Sequence, residues 1–257
     1  MLGILLQLAA LKPRVSRLRY NPGMLILSVD TSGSAGGAAL LRDDTVLAES
    51  AGASEQPYSS RIFQDVREVM RIGRAAMSEI DLFAVAAGPG SFTGLRVGLT
   101  AVKGWAEVWN KPIAAVSGLE AVAALATEPG QVLTPVLRAG RGQLYAAQYA
   151  RTQDAEVSLE CAAEDVVLSP GELLDWLAES GQDRPLIVTP SREAALAVVS
   201  AVGRRSLRLE IVPEALAGMI GRLGRRKALQ GRTVDALHLN ANYVRRSDAE
   251  SKWKESA

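Results

Sequence analysis

At 257 residues the chain has room for one large domain or two modest ones. It carries 29 Lys and Arg against 28 Asp and Glu, a balance that by itself says nothing about nucleic acid. The single cysteine, Cys161, excludes an internal disulfide, and any His-dependent metal site or nucleophilic dyad must use the single histidine, His238, or do without.

Residues 1–23 stand apart. Met1 to Leu11 is apolar, and Lys12, Arg14, Arg17 and Arg19 follow without an acid among them. A membrane span needs roughly 20 apolar residues, and a secretory signal carries its positive charge before the apolar run rather than after it. The segment is therefore read as a loose extension or an upstream start, with no membrane anchor and a cytoplasmic location expected.

Met24 to Val29 is an apolar strand running into Asp30-Thr31-Ser32 and a glycine-rich turn, Gly33 to Gly37. Gly37 to Leu41 and Thr45 to Ser50 read as a hairpin. Ser59 to Gly73 is a helix, with Ile62, Val66, Val69 and Met70 inward, Phe63 set off from them, and Arg61, Asp65, Arg67, Glu68 and Arg71 covering the rest. Ser78 is a candidate cap for a short turn before Leu82 to Ala87, a buried-type strand.

Next comes the loop Gly88-Pro89-Gly90-Ser91-Phe92-Thr93-Gly94-Leu95-Arg96. Without a following Gly-Lys-Ser/Thr it is no Walker motif, and its glycine spacing is not that of dinucleotide folds. Ser91 or Thr93 can cap the helix that follows. That helix, ending at Asn110 before Lys111-Pro112, carries two apolar stripes. Leu95, Leu99, Val102, Ala106 and Trp109 form one; Val97, Ala101, Gly104, Trp105 and Val108 form the other. A surface helix of a lone domain needs one such stripe, so this helix has two covers.

Pro112 to Val116 is a strand and Gly118 to Thr127 a helix, after which Glu128-Pro129-Gly130 marks a boundary between lobes. Val132 to Leu137 and Leu144 to Tyr149 read as strands, followed by a helix opened by Ser169-Pro170-Gly171. A strand at 185–189, a helix at 192–202, a strand at 207–212 and a helix from Pro213 to about Gln230 complete the order. Arg222, Arg225, Arg226 and Lys227 suit the C-terminal end of that last helix dipole; a tRNA-facing patch is the sharper alternative. The boundaries expected are 1–23 extension, 24–127 first lobe, 128–235 second lobe and 236–257 C-terminal segment.

Four runs carry a resemblance: Met24–Ser32, Gly88–Leu99, Gly142-Gln143-Leu144-Tyr145, and Asn242-Tyr243-Val244-Arg245-Arg246-Ser247-Asp248-Ala249-Glu250. In that order they resemble the TsaB (YeaZ) family, over roughly Met24 to Glu250. The resemblance implies an α/β fold of the actin-like ATPase (ASKHA) class, with two lobes each built on a mixed sheet flanked by helices. It implies a non-catalytic dimerisation subunit acting with TsaD and the ATPase TsaE in placing threonylcarbamoyl on the adenosine beside the tRNA anticodon. Without TsaD it implies a homodimer, with tRNA contacted indirectly through the complex.

By position the implied partner-binding residues are Ile62, Phe63, Val66 and Met70 on one helix and Leu95, Leu99, Val102, Ala106 and Trp109 on the next. Charge at Leu99 or Val102 is then expected to break the complex and spare the fold. Gly88, Pro89, Gly90, Ser91, Phe92, Thr93, Gly94 and Arg96 form a structural loop. Asp30, Thr31 and Ser32 become a vestigial phosphate loop, with no cofactor expected beyond a weakly held nucleotide at the inter-subunit interface. Relatives often carry Asp-Ala-Arg before Gly-Glu-Val-Tyr, where this chain has Arg138-Ala139-Gly140-Arg141-Gly142-Gln143-Leu144-Tyr145. The change weakens magnesium-nucleotide chemistry. The rival reading is an active actin-like ATPase or small-molecule kinase, with Asp30, Thr31 and Ser32 holding magnesium and phosphate. A metallopeptidase would need more than one histidine.

Overall fold

The computed structural model describes residues 23–52, 56–151, 159–181, 184–203 and 205–244. The N-terminal extension up to residue 22 and the Arg245–Glu250 part of the last motif lie outside them. The first half runs β1 (Leu25–Asp30), β2 (Gly37–Arg42), β3 (Thr45–Ala51), α1 (Tyr58–Ile72), β4 (Leu82–Gly88), α2 (Phe92–Trp109), β5 (Ile113–Ser117) and α3 (Gly118–Ala124). The second runs β6 (Val132–Gly140), β7 (Gln143–Arg151), β8 (Leu159–Leu168), α4 (Pro170–Glu179), β9 (Leu186–Thr189), α5 (Arg192–Ala201), β10 (Arg208–Ile211) and α6 (Ala217–Leu229). Each half is therefore βββαβαβα.

The halves share one topology. The sheet orders are β3-β2-β1-β4-β5 and β8-β7-β6-β9-β10, so every strand has a counterpart at the same place in the other lobe. Antiparallel hairpins lead into parallel strands in both. This is the two-lobed actin-like ATPase architecture, with mixed sheets flanked by helices. No helix among the described residues is long and apolar enough to cross a membrane.

In β1 and β4 alternate residues face opposite layers, as the two-residue period of a strand requires. Leu25, Leu27, Val29, Phe83 and Val85 meet α1 and α2. Ile26, Leu82, Ala84 and Ala86 look the other way, into a core shared with α3, α6 and the inner face of the second sheet. α6 closes the first sheet, not the second. Cβ atoms at Gly221 and Gly224 would lie 2.3 Å from Leu41 Cδ1 and 2.6 Å from Ala84 Cβ, so glycine permits the close approach. Ser28 Oγ donates to Ala217 O at 2.7 Å across that contact. In exchange α3 packs on β6 and β7. Strand order alone placed α6 with the second lobe; its packing puts it on the first.

Three of the four cations of α6 are paired with acids within the fold. Arg225 pairs with Asp43 and Asp44, while Arg226 and Lys227 both pair with Glu120 at 3.1 and 3.0 Å. Arg222 Nε donates to Asp44 O at 2.9 Å. These side chains fasten α6 to the first lobe, which removes the support for a tRNA-facing patch there. Strand β8 gives little signal in sequence because it is an edge strand with no fully buried residue. The short turn at Met77–Glu79 is closed by the Glu79 carboxylate, which accepts from Ala76 N at 2.7 Å; Ser78 does not cap it.

Candidate docking face and inter-lobe cleft

Two sites sit at the two ends of the story told by β1, β4 and α2. The first is the cleft between the lobes, about 610 Å³, with Asp30, Ser32, Gly90 and Ser91 on one wall and Arg138 and Glu193 on the other. Asp30 ends β1 and is buried. Its Oδ1 accepts from Ser32 N at 2.8 Å and from Ser32 Oγ at 2.7 Å. Burial pushes the Asp30 carboxyl above the usual range, against the pull of those two Ser32 bonds. Thr31 Oγ1 donates to Gly94 O at 2.7 Å, and Ser91 N donates to Ser32 O at 2.8 Å. Arg138 forms an ion pair with Glu193 at the start of α5.

The Gly88–Gly94 loop explains why α2 can lie so close. A Cβ at Gly94 would come 2.0 Å from Thr31 O, and one at Gly98 would come 2.3 Å from Thr31 Oγ1. Ser91 caps the helix, accepting from Gly94 N at 3.2 Å; Thr93 is not the cap. At the far end Asn110 takes the left-handed conformation that closes a helix. The loop is thus a packing device that seats α2 on the β1 turn.

Two residues outside the predicted set hold that turn. Tyr58 Oη donates to Gly33 O at 2.6 Å and accepts from Gly36 N at 2.8 Å. Arg61, expected on the solvated face of α1, is buried: it stacks on Tyr58 and donates to Gly52 O and Gly36 O. An arginine one turn after the tyrosine was a readable signal only once the turn was known to face α1.

The second site is the outer face of α1 and α2, where a groove of about 630 Å³ runs among Phe63, Phe92, Val97, Ala101 and Trp105. Phe63 is 53% exposed, Val108 74% and Trp109 39%. Trp105 joins surface to core: its ring centre lies 5.8 Å from that of Phe63 and 6.2 Å from that of buried Phe83. Of the nine residues implied as partner contacts, only Phe63 and Trp109 are exposed. Ile62, Val66, Met70, Leu95, Leu99, Val102 and Ala106 are instead buried in the core beneath the sheet. Periodicity finds both stripes of α2 but not which one its own sheet takes. The outward stripe is Val97, Ala101, Gly104, Trp105 and Val108, of which Gly104 and Val108 are exposed and the other three half-buried.

The remaining candidates are peripheral. Cys161 is exposed on β8. His238 is exposed beside Asp235, Nδ1 to Oδ1 2.6 Å. Among the described residues no three His, Cys, Asp or Glu are grouped to hold a metal ion.

Against known proteins, a family model described as "TsaD: tRNA N6-adenosine threonylcarbamoyltransferase" matches residues 51–217. The tRNA threonylcarbamoyladenosine biosynthesis protein TsaB of Bacillus subtilis is 31% identical over 244 residues, 91% of this chain and 99% of that protein. The chain belongs to the TsaB (YeaZ) family. TsaB of Escherichia coli is 30% identical over 133 residues, 51% of this chain and 57% of that protein. YeaZ from Pseudomonas aeruginosa superposes with a TM-score of 0.71 at 23% identity, covering 86% of this chain and 99% of that one. The likeness to YeaZ shows the fold; the end-to-end match to TsaB shows the family.

Proposed function

We propose that this chain is the non-catalytic scaffold of a tRNA threonylcarbamoyladenosine-modifying complex, docking TsaD on the outer face of α1 and α2 and working with TsaE. In the absence of TsaD the same face pairs with a second copy. One observation carries the reading: half-buried Val97, Ala101 and Trp105 and exposed Val108 form an apolar stripe beside exposed Phe63 that the chain's own core covers only in part. A helix face of this kind is stable in water chiefly when another surface buries it.

The cleft argues in the same direction. A magnesium nucleotide needs carboxylates and donors free to meet it. Here one oxygen of the buried Asp30 carboxylate already takes two hydrogen bonds from Ser32, and across the cleft the Glu193 carboxylate is paired with Arg138. No step is assigned to such a group.

Co-purification of the full chain with TsaD from the same organism, wild type against Val108→Asp, tests the proposal. Val108→Asp is expected to leave the circular dichroism and melting curve unchanged and to weaken the complex at least about thirtyfold, the effect of a charge placed in an interface core. Modified tRNA should fall with it. Undiminished co-purification would overturn the docking face, and turnover of magnesium-ATP by the isolated chain would favour the ATPase reading.

A further inference from the structure

In the second lobe two polar side chains are buried side by side with part of their hydrogen-bonding capacity unmet. Thr134 on β6 is fully buried and Gln148 on β7 is 7% exposed. Neither Thr134 Oγ1 nor Gln148 Nε2 has a hydrogen-bond partner among the described residues. The pairing of the strands makes them neighbours. Leu133 stands opposite Tyr149 and Val136 opposite Ala146, so Thr134 meets Gln148 across one rung, on the face that Val136 and Ala146 share. That face looks towards α4 and α5, where Leu174, Ile187 and Val198 belong to the same apolar core. A hydroxyl or amide taken into such a layer with nothing to bond is costly.

The backbone ladder is weakened at the same place. Arg151 N donates to Gln131 O at 2.8 Å, so by alternation Leu133 and Pro135 turn their backbone groups towards β7. Proline has no N–H, and Pro135 gives the opposite Ala147 carbonyl no ladder bond. Proline belongs at the edges of sheets, yet β6 lies between β7 and β9. On the other flank of β7 the register with β8 shifts on both sides of Gln148.

We propose that one water molecule is bound here as part of the fold, bridging Thr134 Oγ1 and Gln148 Nε2 inside the second lobe. A hydroxyl and an amide together ask for a ligand that both donates and accepts, small enough to lie between cross-strand neighbours. Water meets both demands. Through side chains it restores the tie between β6 and β7 that Pro135 removes from the backbone. The effect reaches the cleft, because the same two strands run on from this rung to Arg138, Ala139 and Gly140 on its wall. A slip of one residue would turn every side chain of a strand to the other face, and the bridge pins the register against it.

A high-resolution crystal structure of the full chain tests the proposal directly. One solvent peak is expected within about 3.2 Å of both atoms, kept in Thr134→Ser and lost in the Thr134→Val, Gln148→Met double variant. Denaturant unfolding supplies the second readout. Thr134→Val and Gln148→Met are each expected to raise the unfolding equilibrium constant about tenfold, since each strands the group left behind. The double variant should lie within about threefold of either single one, because it removes both groups together. A direct Thr134–Gln148 hydrogen bond, either side chain bonded elsewhere in the protein, or no solvent peak would overturn the proposal. Single losses that simply add in the double variant would overturn it too. The wild-type crystal decides the matter even where a variant fails to fold.

Discussion

The cleft and the outer face of α2 adjoin at the start of one helix, Ser91 lining the first and Phe92 and Thr93 the second, and have been treated in opposite ways. In the cleft the polar groups of β1 and the following turn are engaged inside the chain: Asp30 by Ser32, Thr31 by Gly94, Gly33 and Gly36 by Tyr58. On the outer face the apolar groups are left for something else to cover. A site that binds must leave its recognising groups unmet. By that measure the proposal places recognition on the helix face rather than in the cleft.

The comparison can be broken or sharpened in steps. Val102 belongs to the stripe that the sheet buries, and Val102→Asp puts an unpaired charge into the core beside Phe83. A loss of about 4 kcal/mol or more is expected, enough to unfold a marginally stable domain, whereas Val108→Asp two turns on should leave the melting temperature alone. Equal effects at the two positions would erase the distinction between the stripes. Gly98→Ala tests the seat of α2 on Thr31, where the new methyl would lie 2.3 Å from Thr31 Oγ1; thermal unfolding should show a loss of about 1–3 kcal/mol, the usual cost of overpacking.

Asp30→Asn should do least. Asp30 has a carboxyl raised by burial, so between the unfolded and the folded value the native state binds more protons, and stability falls as pH rises through that window. The amide removes that dependence and keeps an oxygen for the Ser32 bonds. Denaturant titrations across pH should show a flatter profile, and tRNA modification in cells should persist. Loss of modification with the complex intact would restore the cleft to a working role.

Much of the frame was legible because it rests on local signals. The hairpin turn, the apolar β4 run, Pro112 after α2 and Ser169-Pro170 before α4 each announce an element through backbone chemistry. The two stripes of α2 were legible as a count but not as an assignment, since helical spacing says how many faces are apolar and nothing of what lies against each. Tyr58 and Arg61 escaped because their partners, Gly33, Gly36 and Gly52, are distant in sequence and are met through backbone atoms. The likeness of the two halves escaped too. Gly88-Pro89-Gly90-Ser91 and Thr189-Pro190-Ser191 occupy equivalent strand-to-helix turns, with Ser91 and Ser191 as the caps, yet the shared feature is strand order rather than residues. The basic end of α6 misled for the same reason: its acids, Asp43, Asp44 and Glu120, stand in other elements.

The traded helices α3 and α6 bear on how the molecule comes into being. During synthesis the first sheet is finished when Ser117 leaves the ribosome, but the helix that roofs its inner face does not begin until Ala217. Through that interval Ile26, Ala84 and Ala86 have no lid of their own, so a nascent chain halted after β10 would expose a bare, sticky sheet. A cut between the halves is expected to leave each without the helix that the other lends it.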